Sequence, residues 1–112
     1  MAKKVSNLSP EATANCERLV QELAPVGDVT SKKMFGGYGV FESGVMFALI
    51  TSDGVVHLKV ADANRERFEA VGAEKHGRMP YFQVPAEVWD DPAALRQWAQ
   101  EAIDIAHAGK KK

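Results

Sequence analysis

Hydrophobic residues recur at helical spacing in two segments, one near each end of the chain. The first stripe contains Ala12, Cys16, Leu19, Val20 and Leu23. The second contains Leu95, Trp98, Ala99, Ala102, Ile103 and Ala106. Ser9 and Asp91 each precede a proline, which is typical of an N-cap followed by the first helical residue. The pattern therefore predicts an amphipathic helix at each end, the first ended by Pro25 and Gly27 and the second by Ala108 and Gly109.

Between these helices, short apolar segments separated by glycine-containing turns predict an antiparallel meander. We expect strands over residues 29–35, 37–42, 45–51 and 55–60. The connections are Gly36-Gly37, Ser43-Gly44 and Ser52-Asp53-Gly54. In the fourth strand, Val56, Leu58 and Val60 alternate with Val55, His57 and Lys59. This alternation predicts that one face of the fourth strand is exposed to solvent.

The third predicted strand differs from the others because residues 45–50 are all apolar. Such a run is typical of a strand that is covered on both faces. We therefore expect this strand to be central in the sheet. Its second face should be shielded by something beyond a single helical layer, such as a partner or a second copy of the chain.

The rest of the chain predicts a short helix, a loop and one more strand. Asp62 is the expected N-cap of a helix over residues 63–71, which Gly72 ends. After a loop over residues 73–78, residues 79–84 are expected to form a strand, in which Pro80 indicates an edge position or a strand start. The order α-β-β-β-β-α-β-α predicts an α+β fold of two layers. Its mostly antiparallel sheet has helices at both ends and one short helix before the last strand.

Length and composition are those of one globular domain. The chain has 112 residues, of which 46% are hydrophobic and 26% charged. No apolar run approaches the roughly 20 residues that span a bilayer, and no apolar segment follows the basic N-terminus. We expect a flexible N-terminus over residues 1–8, a single domain over 9–108 and a basic tail over 109–112. These features favour a cytoplasmic protein without a membrane partner.

The residue types that carry chemistry are scattered. His57, His76 and His107 fall on a strand, a loop and a helix end, so no metal site or cofactor is expected. Cys16 lies on the buried helical stripe and is interpreted as a core residue. Helix capping explains Asp91, and the helix dipole favours the acid beside it. The sequence thus predicts no catalytic residues and a protein that is not an enzyme.

A glycine-rich run occupies residues 36–39. Phosphate-binding loops lead from a strand into a helix, whereas here a strand follows. A bend or bulge in a curved sheet is therefore the favoured interpretation. Lys32, Lys33 and Tyr38 lie beside the run, and together with Arg78 they are the candidate residues for contact with an anion or a base.

Several ordered blocks resemble the signature of the TfoX (Sxy) N-terminal domain family. They are residues 34–41 (MFGGYGVF), 47–50, 56–60 and 79–85, followed by an acid-capped helix that contains Trp98 and Ala99. The resemblance covers residues 15–108. It implies an α+β domain related in fold to small secretion-chaperone-like domains. It also implies a role in regulating natural competence and DNA-uptake genes, together with a cyclic-AMP-responsive activator, and it carries over no catalytic residue.

One departure from the family pattern affects the expected function. Full-length members carry a second, helical domain that resembles helix-hairpin-helix DNA-binding modules, and this chain stops after the first domain. We therefore expect a non-enzymatic regulatory or protein-interaction domain, such as a transcriptional co-regulator. Its partner would be a protein, either a transcription regulator or a second copy in a homodimer. The alternative is a small-ligand or nucleic-acid-binding domain that uses the Lys32, Lys33 and Tyr38 region, although the net charge of -1 does not itself attract nucleic acid.

Overall fold

A five-stranded antiparallel sheet forms the centre of the computed structural model, which describes residues 10–34, 36–77 and 79–110. The strands lie in chain order: β1 (Val29–Met34), β2 (Gly37–Glu42), β3 (Val45–Ile50), β4 (Val56–Lys59) and β5 (Tyr81–Gln83). The helices are α1 (Pro10–Leu23), α2 (Asp62–Ala70), α3 (Ala86–Trp89) and α4 (Pro92–Lys110), and a 3₁₀ turn (Ala24–Val26) follows α1. The predicted two-layer α+β fold is confirmed.

Helices α1 and α4 cover one face of the sheet, which we call the helix face. The predicted stripes are confirmed, because these helix residues are buried: Ala12, Cys16, Leu19, Leu23, Leu95, Ala99, Ala102, Ile103 and Ala106. They pack into one core with strand residues such as Val40, Ala48 and Leu58, which lie opposite one another across β2, β3 and β4. The neighbouring row, Gly39, Leu49 and His57, points to the opposite side, which we call the second face.

Strand β3 is the middle strand, as its apolar sequence predicts. An irregular register explains part of that sequence, because Val40 pairs with Ala48 whereas Phe41 pairs with Met46. Phe47 is thus the extra residue of a bulge, and both Phe47 and Ala48 belong to the main core. Leu49 lies on the second face and is only 4% exposed. The expectation that the second face of β3 is covered is therefore confirmed at Leu49, whereas Val45 and Met46 are only partly buried.

Of the N-caps predicted for α2 and α4, the structure confirms only that of α4. Asp91 caps α4 as predicted, since its Oδ1 accepts hydrogen bonds from the backbone N–H groups of Ala93 and Ala94 at 3.1 and 3.3 Å. The prediction that Asp62 caps α2 is wrong. Ala61 holds the N-cap position, where Asn64 Oδ1 accepts its N–H at 2.8 Å, and Asp62 pairs with Arg65 in the first turn instead. Ser9, the predicted cap of α1, lies outside the described residues.

Several element ends differ from the prediction. Helix α4 continues through Gly109 to Lys110, because Gly109 does not adopt the positive φ that usually ends a helix at glycine. The last strand covers only Tyr81–Gln83 instead of 79–84, but it does lie at an edge of the five-stranded order. Phe35, predicted to end the first strand, lies outside the described residues.

Helix α3 was not expected from the sequence. It buries Val88, and the guanidinium of Arg18 on α1 lies 4.2 Å from the centre of the Trp89 ring. The same guanidinium donates a hydrogen bond to the Trp89 carbonyl oxygen. Four residues give too little periodicity to reveal a helix from sequence. None of the helices in the described ranges is long and apolar enough to cross a membrane.

Candidate functional site

Strand β1 forms an exposed edge of the sheet. Across residues 10–34, 36–77 and 79–110 it is paired with β2 alone, in an unbroken register from Val29 opposite Glu42 to Met34 opposite Gly37. Its four middle residues, Thr30 to Lys33, are exposed. An edge strand presents backbone N–H and C=O groups along its outer side, where another extended chain can pair. This edge, Val29–Met34, is the β1 edge.

The β1 edge carries two lysines that point to opposite faces of the sheet. Lys32 lies opposite Gly39 on the second face, and Lys33 lies opposite Tyr38 on the helix face. The structure thus brings Lys33 and Tyr38 together and separates Lys32 from both. Arg78, the fourth predicted residue, lies outside the described residues. The β1 edge therefore has one lysine on each face of the sheet, and the predicted binding residues do not form one compact cluster.

Tyr38 contacts the first helix. It is partly buried against the core, and its hydroxyl lies 3.1 Å from the hydroxyl of Thr13 on α1. The ring therefore helps to hold α1 on β2. This contact gives Tyr38 a structural role beside any role in binding.

The glycine-rich run is built for close packing on the second face. Gly36 makes the turn between β1 and β2 with a φ of 75°. A Cβ on Gly37 would collide with the backbone of Ile50, and one on Gly39 would collide with the side chain of Met34. The run leads from strand to strand, as the favoured interpretation requires. The register irregularity itself lies one residue beyond the run, between Val40 and Phe41.

A cavity of about 410 Å³ opens on the second face beside this run. Its lining residues are Met34, Tyr38, Leu49, Ile50, Thr51, Ser52, His76 and Met79. Two thioethers and two aliphatic side chains make most of this lining apolar, and His76 and the hydroxyl groups supply polar atoms. The size and the mixed lining are those of a small-ligand site.

His57 and His76 meet next to this cavity. Their ring centres are 4.9 Å apart, with the planes inclined by 60°. His57 is only 5% exposed, and its Nδ1 lies 3.2 Å from the Val55 carbonyl oxygen. Burial, followed by the proximity of His76, lowers the pKa of His57 to about 4. His57 is therefore neutral at pH 7.

This pair corrects two expectations from the sequence. His57 was expected on an exposed face, and no second ligand was expected near any histidine. The segment before β5 folds back beside it, where the His76 N–H donates to the Tyr81 carbonyl and the Gln83 N–H to that of Glu74. Nothing in the local sequence marks this contact, because the two histidines lie on different elements.

The third histidine has a structural contact. His107 Nε2 lies 2.7 Å from a carboxylate oxygen of Glu42 and 3.1 Å from the Glu42 carbonyl oxygen. Hydrogen bonds from the Ser43 hydroxyl and the Asp28 N–H, together with His107, lower the pKa of Glu42. These contacts join the last turns of α4 to the β2–β3 turn.

The described residues contain one cysteine, and it is buried. Cys16 is 3% exposed, which confirms its place in the core, and burial raises the pKa of its thiol. In that part of the chain, no three or more His, Cys, Asp or Glu side chains come close enough to hold a metal ion. The features that stand out are therefore the β1 edge and the cavity of the second face.

Fold and surface define a small α+β domain with an open antiparallel sheet edge. Residues 21–106 match the model of the TfoX N-terminal domain family, and the chain belongs to this family. It is also 32% identical over 96 residues to the DNA transformation protein TfoX1 of Aliivibrio fischeri. That alignment covers 79% of this chain and 46% of the relative, so the chain spans about half the length of the curated relative it matches. The resemblance seen in the sequence is confirmed.

Proposed function

We propose that this chain is a non-enzymatic regulatory domain that binds a partner protein through the β1 edge. The observation that carries the proposal is the exposed β1 strand, which has one lysine on each face. Membership of the TfoX N-terminal domain family supports the regulatory part. The name of the relative, a DNA transformation protein, supports a process related to competence.

The chemistry of the β1 edge favours an acidic, extended segment as its binding partner. A strand added to an open edge gains backbone hydrogen bonds, and its side chains then alternate between the two faces of the sheet. Lys32 and Lys33 would each lie beside side chains of such a strand, and acidic residues there would complement their charge. Lysine also discourages pairing between identical edges. If two β1 strands paired, four lysines would lie close together and repel one another. The edge therefore favours a different protein over a second copy.

A transcription regulator in the cytoplasm is the kind of partner we propose. The domain then acts by holding that regulator in place and needs no reaction of its own. Such a role agrees with the described surface, where the candidate binding features are the β1 edge and the cavity of the second face.

The nucleic-acid alternative has less support from the geometry. Lys32 and Lys33 point to opposite faces, and the Tyr38 hydroxyl contacts Thr13. A compact anion site would need these groups to converge. Titration with short DNA over a salt series separates the two functions, because binding to phosphates weakens steeply as salt rises.

Affinity purification from the native bacterium tests the proposal. The bait is the chain, compared with the double variant Lys32→Glu/Lys33→Glu. The matched control is Lys75→Glu, an exposed lysine beside β5 at the other end of the sheet. We expect a protein that the parent and the control retain and that the double variant loses. Equal retention by all three baits contradicts the assignment of the β1 edge.

A further inference from the structure

The cavity of the second face has walls that the fold itself holds in place. One wall is Met34, whose sulfur lies over Gly39, where a Cβ would collide with it. His76 and Met79 form another, joined by a backbone hydrogen bond of 3.0 Å from the Met79 N–H to the His76 carbonyl oxygen. Leu49 of the middle strand also lines the cavity and is 4% exposed. The space therefore exists before any ligand enters, as in most small-molecule sites.

Two of the polar side chains that line the cavity have hydrogen-bond partners within the chain. The Tyr38 hydroxyl lies 3.1 Å from that of Thr13. The Thr51 hydroxyl donates to an Asp53 carboxylate oxygen and accepts from the Val55 N–H. Because these contacts already occupy both hydroxyl groups, a ligand would gain little from either of them.

Ser52 and His76 supply the polar atoms that remain available. In the part of the chain that the structure describes, neither the Ser52 hydroxyl nor the His76 ring forms a side-chain hydrogen bond. Both residues are partly buried. A hydroxyl group can donate and accept, and a neutral imidazole has one donor and one acceptor nitrogen. A ligand that complements them carries a donor and an acceptor close together.

The lining also favours an uncharged ligand. No Lys, Arg, Asp or Glu is among its described residues. A charged group would be buried there without a counter-ion, which is costly. Asp53 and Glu74 line the neighbouring cavity, which shares Thr51 and His76 with this one, so an anion would also meet negative charge nearby.

The two methionines of the lining favour an aromatic ligand. Thioether sulfur makes favourable contacts with aromatic rings, and the flexible side chain adapts to the shape of a ring. Met34 and Met79 both line the cavity. Its volume of about 410 Å³ lies near the lower end of the roughly 300–1,000 Å³ that is typical of small-molecule sites. A molecule of two fused rings therefore has a suitable size.

We propose that this cavity binds a small, uncharged aromatic molecule whose polar edge forms hydrogen bonds with Ser52 and His76. The family match and the relative's name assign no ligand to these residues. Met34 is the last residue of β1, so the ligand contacts the end of the β1 edge. Binding needs no partner protein and is measured on the purified chain alone. Its failure would therefore leave the partner assigned to the β1 edge untouched.

NMR of the methionine methyl groups locates the ligand on the purified chain. The probe is 2-quinolone, an uncharged molecule of two fused rings with an N–H and a C=O side by side. We expect the methyl signals of Met34 and Met79 to shift as 2-quinolone is added. The signal of Met46 should stay in place, because Met46 lies opposite Phe41 and does not line the cavity. For a probe of this size, affinity in the millimolar range or tighter is expected.

Two related molecules test the chemical class of the ligand. Quinoline has the same rings without the N–H and C=O pair, and 2-quinolone should bind at least about threefold more tightly. Quinoline-2-carboxylate adds a negative charge, and it should bind at least about tenfold more weakly than 2-quinolone. Equal affinity for the three probes, or tighter binding of the carboxylate, overturns the class of ligand.

Two variants test the polar contacts. Ser52→Ala removes the hydroxyl, and His76→Phe removes the ring nitrogens but keeps an aromatic ring against His57. In each variant, the preference for 2-quinolone over quinoline should fall at least about twofold. Quinoline is the control throughout, since its binding reports whether the cavity keeps its shape. An unchanged preference in both folded variants overturns the roles of Ser52 and His76.

The parent chain decides the location by itself, whether or not a variant folds. If 2-quinolone, added up to its solubility limit, leaves the signals of Met34 and Met79 unchanged, the proposed site is wrong. Shifts confined to Met46 would likewise overturn it.

Discussion

The hydroxyl of Tyr38 lies 3.1 Å from the hydroxyl of Thr13, which joins strand β2 directly to helix α1. The tyrosine of the glycine-rich run, a candidate binding residue from sequence, thus contributes to the packing of the two layers. Because this hydrogen bond is exposed to solvent, we expect Tyr38→Phe to lower the free energy of unfolding by only about 0.5 kcal/mol. Urea denaturation measures this loss.

A double-mutant cycle with Thr13→Ala provides the control for Tyr38→Phe. A coupling energy near zero would show that the two hydroxyls do not stabilise each other. A loss of partner retention in Tyr38→Phe, with its stability unchanged, would assign the hydroxyl a direct role in binding.

Two neighbouring glycines should respond differently to alanine. The Cβ in Gly37→Ala meets the backbone of Ile50, which cannot move easily, so we expect a loss of at least about 2 kcal/mol. Gly36→Ala has open space but keeps a φ of 75°, and should cost about 1 kcal/mol. Thermal and urea unfolding compare the two variants. A loss at Gly37→Ala no larger than that at Gly36→Ala would show that the sheet relieves the contact with the Ile50 backbone by a small shift.

Buried His57 makes stability depend on pH. Its pKa is about 4 in the folded chain and about 6.5 when unfolded, so the unfolded state binds the proton first as the pH falls. The free energy of unfolding should therefore decrease between about pH 6.5 and pH 4, by about 2 kcal/mol after allowance for solvent screening. Urea denaturation at several pH values measures the slope.

The control for this pH dependence is His57→Leu. This variant lacks the titrating group, so its stability should change less than that of the parent over the same range. The folded pKa of Glu42 is lowered, so protonation of Glu42 also reduces the free energy of unfolding, but at a lower pH than protonation of His57. This second loss of stability occurs in both proteins. Identical pH profiles for the parent and His57→Leu would contradict the burial of a neutral His57.

Leu49 tests whether the chain covers its own second face. It is 4% exposed although it points away from the helices, so Leu49→Ala should cost about 2–4 kcal/mol. Val71→Ala, at a side chain that is 49% exposed, should change stability by less than about 0.5 kcal/mol. Similar small effects at both positions would contradict the burial of Leu49 within the chain.

The elements with strong local signals could be predicted from the sequence. The stripes of α1 and α4 have the helical period, and the Asp91-Pro92 pair marks a helix start that the structure confirms. The all-apolar run of β3 correctly indicates the central strand. These predictions depend only on residues that are close together in the sequence.

The missed features depend on contacts between distant segments. Asn64 displaced Asp62 as the capping group because its side chain reaches back to Ala61. The bulge at Phe47 depends on the register with β2, which no local pattern reveals. The contact between His57 and His76 likewise arises only when the segment before β5 folds back beside β4. The predicted strand over residues 29–35 already implies that Lys32 and Lys33 point to opposite faces. For the same reason, however, the sequence could not show that this strand lies at an edge of the sheet.

Hydrogen–deuterium exchange on the chain, free and bound to the protein it retains, tests the proposed function most directly. If the partner adds a strand to the β1 edge, the backbone amides of Val29–Met34 should exchange more slowly in the complex. The amides of the segment around Lys75, at the other end of the sheet, should be unaffected. Protection confined to other surfaces, with β1 exchanging as in the free chain, would contradict the account.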